Sequence, residues 1–109
     1  MLKRVKRRYL ALDVDSTETF DSKKLMDTFW AAITKLYGEY GASRSGLTFI
    51  DYNSERRFII IRVANAAIDM VRASLASITK IDNKPVAVHI LAISGTIKAL
   101  HRNITNRSS

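Results

Sequence analysis

The run Phe58–Val63, Phe-Ile-Ile-Ile-Arg-Val, constrains the fold of this chain more than any other stretch. It is short, rich in β-branched and aromatic residues and flanked by polar ones, so it reads as a strand. Alternation along a strand sets Phe58, Ile60 and Arg62 on one face and Ile59, Ile61 and Val63 on the other. A sheet wetted on one side would carry polar residues on that side. Here both faces are largely apolar, and Val86–Ile93 (VAVHILAI) repeats the pattern. The sheet therefore needs cover on both faces, from a helix of this chain, from a partner, or from both, because so much exposed apolar surface is a liability.

The rest of the chain supplies elements to match. Leu10, Leu12 and Val14 alternate with Tyr9, Ala11 and Asp13, giving a first strand with one apolar face. After a loop at Asp15-Ser16-Thr17, Asp21 or Ser22 serves as an N-cap. Leu25, Met26, Phe29, Trp30, Ile33, Leu36 and Tyr37 recur at helical spacing, and Gly38 is expected to end that helix. A loop Gly38–Gly46 follows, then strands over 47–52 and 56–63 joined by a turn at Asn53-Ser54. A second helix spans about 65–79 with Ile68, Val71, Leu75 and Ile78 on its buried stripe. Asp82–Pro85 is read as a turn, 86–94 as the fourth strand, and a basic third helix starts near Thr96 with Ile97, Leu100 and Ile104 aligned.

The order β-α-β-β-α-β-α predicts an α+β fold, a ferredoxin-like, RNA-recognition-motif-like sandwich. Its four-stranded antiparallel sheet carries two helices on one face, and the C-terminal helix covers part of the other. The domain reading is a basic arm over 1–8, one α/β-sandwich over 9–104 and a frayed tail over 105–109. At 109 residues one hydrophobic core is expected.

Charge speaks to partners. The formal net charge is +8, with 18 lysines and arginines against 10 aspartates and glutamates. That excess favours a polyanion such as nucleic acid. Residues 3–8 (KRVKRR) carry five positive charges and no negative one, and 37–63 holds three of the four glycines with Arg44, Arg56, Arg57 and Arg62. These residues suit phosphate gripping by an arm, a loop and a hairpin rim rather than a small-metabolite pocket. The absence of cysteine removes disulfide, zinc–thiolate and thiol chemistry. No window approaches the roughly 18 apolar residues of a membrane span, and the start lacks a signal-peptide core, so an intracellular, soluble protein is expected.

Signals for other chemistry are weaker. Tyr9 and Phe58 sit where RNA-recognition motifs stack bases, yet the third strand lacks the glycine-bearing aromatic run of that motif. Asp13, Asp15 and Asp51 could form a carboxylate cluster for metal-dependent phosphodiester cleavage, but strand ends and turns carry the same residues. Arg62 fits an ion pair with Asp13 or a ligand contact. His89 reads as a core residue and His101 as surface, and the two make no metal site.

Four segments then carry a resemblance: RRYLALDV after the basic arm, LYGEYGASRSGLTFIDYN, RRFIIIRV, and ISGTIKALHR near the end. In this order, and from about Arg7 to Arg102, they resemble the component 2 family of archaeal and eukaryotic ribonuclease P. The most specific pieces are SGTI, Ser94–Ile97, and LYGEYG leading into a strand. The resemblance implies a subunit, not catalytic by itself, of the ribonucleoprotein that removes the 5′ leader of precursor tRNA. It implies ribonuclease P RNA as direct partner and precursor tRNA as an indirect one. A larger barrel-shaped protein subunit would pair with the chain, and self-association stays open. No cofactor is expected on the protein, and magnesium on the RNA. RNA contacts are expected from Lys3, Arg4, Lys6, Arg7, Arg8, Arg44, Arg56 and Arg57, and the compartment would be the cytoplasm, or the nucleus or nucleolus in a eukaryote. A protein–protein assembly module using the apolar second face, and a metal-dependent nuclease, stand as the alternatives.

Overall fold

The computed structural model describes residues 6–53 and 57–107. Its elements are β1 (Arg7–Ser16), α1 (Ser22–Arg44), β2 (Thr48–Asn53), β3 (Phe58–Ala64), α2 (Ile68–Ala76), β4 (Lys80–Ile81), β5 (Lys84–Ser94) and α3 (Ile97–Arg107). A short 3-10 turn, Asn65–Ala67, leads into α2. The strands form one antiparallel sheet in the order β2-β3-β1-β5-β4, so β1 lies between β3 and β5.

The α+β class and antiparallel sheet agree with the sequence reading, and its four-stranded sheet is corrected to five strands. The addition, β4, pairs only Lys80 with Pro85 and Ile81 with Lys84. Two residues are too few to show a period. The hairpin turn between them holds Asp82 and Asn83 at φ 52° and 66°, the left-handed pair that a tight two-residue turn requires.

Both faces of the sheet are covered. On the first face Leu10, Leu12, Ile59, Ile61 and Val63 pack with Leu25, Phe29 and Ile33 of α1 and Val71 and Leu75 of α2. On the second face Ala11, Phe58 and Ile60 pack under Leu100 and Ile104 of α3. Register shifts at Phe49/Asp51 and Ala11/Leu12 leave Ile50 and Leu91 as extra residues, and both join that second cluster. The two-faced apolar strand thus finds its second cover inside the chain.

Helix α1 departs from expectation. Asp21 caps it, its carboxylate accepting from the Lys24 amide at 2.7 Å. Alanine at Asp21 is expected to lower stability by about 1 kcal/mol, seen as a lower urea midpoint at unchanged slope. Gly38 does not end the helix. At φ 76°, ψ 174° it makes a kink that residues with a side chain rarely tolerate, and helical structure resumes to Arg44. Residues 39–44 can resume because Ala42 is fully buried, and the Ser43 and Ser45 hydroxyls satisfy the carbonyls of Tyr40 and Ala42. The expected loop from Gly38 is therefore mostly helix. Trp30, Leu36 and Tyr37, assigned to the buried stripe, are instead exposed, and only Leu25, Phe29 and Ile33 of that stripe are fully covered.

Candidate nucleic-acid interface

The sheet register decides which cations meet. Arg7 pairs with Ala64 and Arg8 with Val63, so the basic start of β1 lies along the end of β3. The Asn65 amide donates to the Lys6 carbonyl at 2.8 Å, which fixes Lys6 at the same end. The Ala64 amide donates to the Ser45 carbonyl at 2.9 Å, bringing the last turn of α1, and with it Arg44, to that end too. Lys6, Arg7, Arg8 and Arg44 are all exposed. Arg62 joins them, in register with Tyr9 on one side and Thr48 on the other.

Two of these cations are held by neutral groups. Arg8 donates through Nε to the Asn65 side-chain oxygen at 3.1 Å. Arg44 donates to the Tyr40 hydroxyl at 3.1 Å and lies 5.5 Å from the centre of the same ring. The Arg62 Nε is buried and has no hydrogen-bond partner. Among the described residues the ion pairs are Lys24 with Asp82 and Lys84 with Glu18, and both tie the β4–β5 hairpin to the segment around the start of α1. The hydrogen bond to Asp82, then its charge, raises the Lys24 pKa. Its stabilising part is present below the ordinary lysine pKa and fades only as pH rises through the raised value, so it is fully present at neutral pH.

Four carboxylates lie toward the other end. Asp13 pairs with Phe58 and Asp15 lies beyond it, followed in the chain by Glu18 and Asp21. Six steps of β3 separate Phe58 from Ala64, roughly 20 Å. That exceeds the Debye length of about 8–10 Å at ordinary salt, so the two ends act separately on an anion. A cluster of guanidinium and ammonium groups at one end offers paired donors of the kind that fit phosphate oxygens.

The expected site residues therefore divide. Lys6, Arg7, Arg8 and Arg44 come together. Arg57, exposed at φ 58°, sits in the β2–β3 turn at the opposite end of β3, away from Arg44. Lys3, Arg4 and Arg56 lie outside the described residues. Arg62 belongs to the basic end rather than to an ion pair with Asp13, which stands four positions along β1 from Arg62's partner Tyr9.

The remaining alternatives lose ground on geometry. Phe58 is 3% exposed under α3, with the His101 ring edge-on at 6.3 Å, so it offers no face to a base. Among the described residues no group of three or more histidines, aspartates or glutamates is placed to hold a metal, which leaves Asp13, Asp15 and Asp51 without the cluster a nuclease reading needs. His89, expected in the core, is exposed, because it lies on β5, where the sheet has little beyond it. No described helix is long and apolar enough to cross a membrane.

Comparisons with known proteins agree in length and fold. Residues 8–105 match the model of the Rpp14/Pop5 family. Ribonuclease P protein component 2 of Methanobrevibacter smithii is 32% identical over 110 aligned residues, covering 93% of this chain and 90% of the relative. The protein of the same name from Thermococcus kodakarensis is 30% identical, covering 91% and 82%. That of Pyrococcus abyssi is 27% identical, covering 95% and 88%. A chain in a cryo-EM structure of yeast ribonuclease MRP has the same fold, with a TM-score of 0.66 at 16% identity over 99% of this chain and 95% of that one.

Proposed function

The chain belongs to the Rpp14/Pop5 family, and from that premise we propose that it is a protein subunit of ribonuclease P, acting in removal of the 5′ leader from precursor tRNA. The observation that carries this reading is the match to ribonuclease P protein component 2 from several archaea along nearly the full length of both chains. The basic end of the sheet supplies the physical means. Lys6, Arg7, Arg8, Arg44 and Arg62 present cations at one end, Arg8 and Arg44 held by the neutral Asn65 and Tyr40, suited to the phosphates of a folded RNA. Arg57 offers a separate phosphate contact a strand's length away, so two RNA segments could be held at a fixed spacing.

In this reading the catalyst is the RNA with its magnesium, and the protein screens phosphates where RNA helices approach one another. Each protein cation placed there replaces a condensed counterion, so the folded RNA needs less divalent ion. The partners are the ribonuclease P RNA, other protein subunits including a larger barrel-shaped one, and precursor tRNA held by the RNA. The site of action is the cytoplasm.

A magnesium titration tests this. Leader removal by the RNA, reconstituted with its other protein subunits, is measured with and without the chain. Adding the chain is expected to lower the magnesium midpoint several-fold, while the chain without RNA leaves precursor tRNA uncut. An unchanged midpoint, or cleavage by the protein alone, contradicts the proposal.

A further inference from the structure

Arg62 stands mid-sheet, in register with Tyr9 of β1 on one side and Thr48 of β2 on the other. All three share the second face, one row nearer the basic end than the pair Ala11 and Ile60. Helix α3 covers the Ala11–Ile60 row completely and the Tyr9–Arg62 row in part. Tyr9 packs against the same cluster, yet both it and Arg62 are only partly buried. The Arg62 Nε is nevertheless buried and meets no hydrogen-bond acceptor, and neither described ion pair involves its charge. A desolvated, unpartnered donor destabilises the fold, and valine or isoleucine would suit a mid-strand position better. Nothing among the described residues offsets that cost, so the guanidinium is held for something the chain binds.

We propose that Tyr9 and Arg62 form the seat of one unpaired guanosine of the RNA. The base stacks on the Tyr9 ring, its O6 and N7 accept from the terminal nitrogens of Arg62, and its phosphate lies at Arg7. Three observations select this occupant. An aromatic ring directly beside a guanidinium suits a group that is flat and apolar on its face and accepting on its edge, which a base is and a phosphate is not. Arginine matches the paired acceptors of guanine better than the edge of any other base. Arg7, two residues earlier on β1 and so on the same face, stands roughly 7 Å from Tyr9, within the reach of one nucleotide. The inference rests on the RNA-binding reading and adds base recognition to a surface that charge alone would leave indifferent to sequence.

The test compares Y9L, Y9F, R62K and R62M, each in the full chain, for binding to ribonuclease P RNA and to precursor tRNA across a salt series. Y9L, R62K and R62M should each weaken binding to one RNA about tenfold, while Y9F, which keeps the ring, binds as the native chain does. Y9L should leave the salt slope unchanged, since stacking releases no counterion. R62K keeps the charge but loses the paired donors, so its loss separates base reading from phosphate screening. Ultraviolet cross-linking should join Tyr9 to an unpaired guanosine, whose place in one RNA or the other names its source. Exchanging that guanosine for adenosine should cost the native chain the same factor and R62K nothing further. The exchange leaves the protein unaltered, so it decides the matter even where Y9L folds poorly. R62M should melt no lower than the native chain, because it removes a buried, unpartnered donor. A fall in Tm for R62M would make Arg62 a structural residue and overturn the proposal. A Tyr9 cross-link to a peptide overturns it too, by naming a protein as occupant. Full RNA affinity in Y9L and R62K overturns the seat alone, whereas a native chain that binds neither RNA overturns the RNA reading and the seat together.

Discussion

Replacing Lys6, Arg7 and Arg44 together by alanine lowers affinity for the RNA about 100-fold near 0.15 M salt and flattens the salt dependence. Each phosphate contact releases roughly 0.7–0.9 counterion, worth about 0.9 kcal/mol at that salt, so three contacts give about 2.7 kcal/mol and a drop of about 2–3 in slope. None of the three side chains supports the core. All are exposed, and the Lys6 carbonyl that holds Asn65 belongs to the backbone and survives substitution. A control removes two cations, Lys24 and Lys84, whose ammonium groups already meet Asp82 and Glu18. That pair of changes should leave the slope almost unaltered. Filter binding or fluorescence anisotropy across a salt series reads both variants. Equal losses in the two would mean that net charge, not the basic end, grips the RNA.

Leu100→Ala should lower stability by about 3 kcal/mol, the range for a fully buried leucine whose site cannot collapse. For a domain of this size that is a fall in Tm on the order of 10–20 °C, a large share of a total that is typically about 5–15 kcal/mol. Leu100 is the fully buried member of α3 and stands over Ala11, Phe58 and Ile60. Leu100→Asp should go further and free α3 from the sheet, because a carboxylate there would be buried without a partner. Calorimetry measures the first variant, and apolar-dye binding reports the face uncovered by the second. If neither changes, α3 is not the cover that the two-faced strand requires.

The need for that cover was legible in Phe58–Val63 itself, since alternation of apolar residues on both sides admits no wet face. The order of the long elements was legible for the same reason: ten-residue periods survive in sequence. What was hidden lay in elements too short to have a period, or in three-dimensional neighbours. Strand β4 is two residues long, and its turn depends on the left-handed Asp82 and Asn83. Gly38 is an equally good signal for a helix end and for a kink, and burial of Ala42 decided between them. Trp30, Leu36 and Tyr37 had helical spacing yet face outward, because an apolar stripe wider than its neighbours leaves its flanks exposed.

The candidate site was half legible. That cations dominate the chain is a matter of composition, but which of them meet is a matter of register. Arg44 and Arg57 are 13 residues apart and looked like one rim, yet β2 and β3 carry them to opposite ends of a strand. Arg7, far from Arg44 in sequence, is brought to its end by the pairing of β1 with β3 and by the bond between Ala64 and Ser45. Arg62 could have been placed with them once β1 was paired with β3, through its partner Tyr9.

The most direct test is purification of the chain from its native cells under mild salt, followed by an assay of 5′-leader removal from precursor tRNA. The account predicts a co-purifying RNA of several hundred nucleotides, further protein subunits, and an activity abolished by ribonuclease digestion. A chain recovered without such RNA, or an activity that survives its destruction, would contradict it.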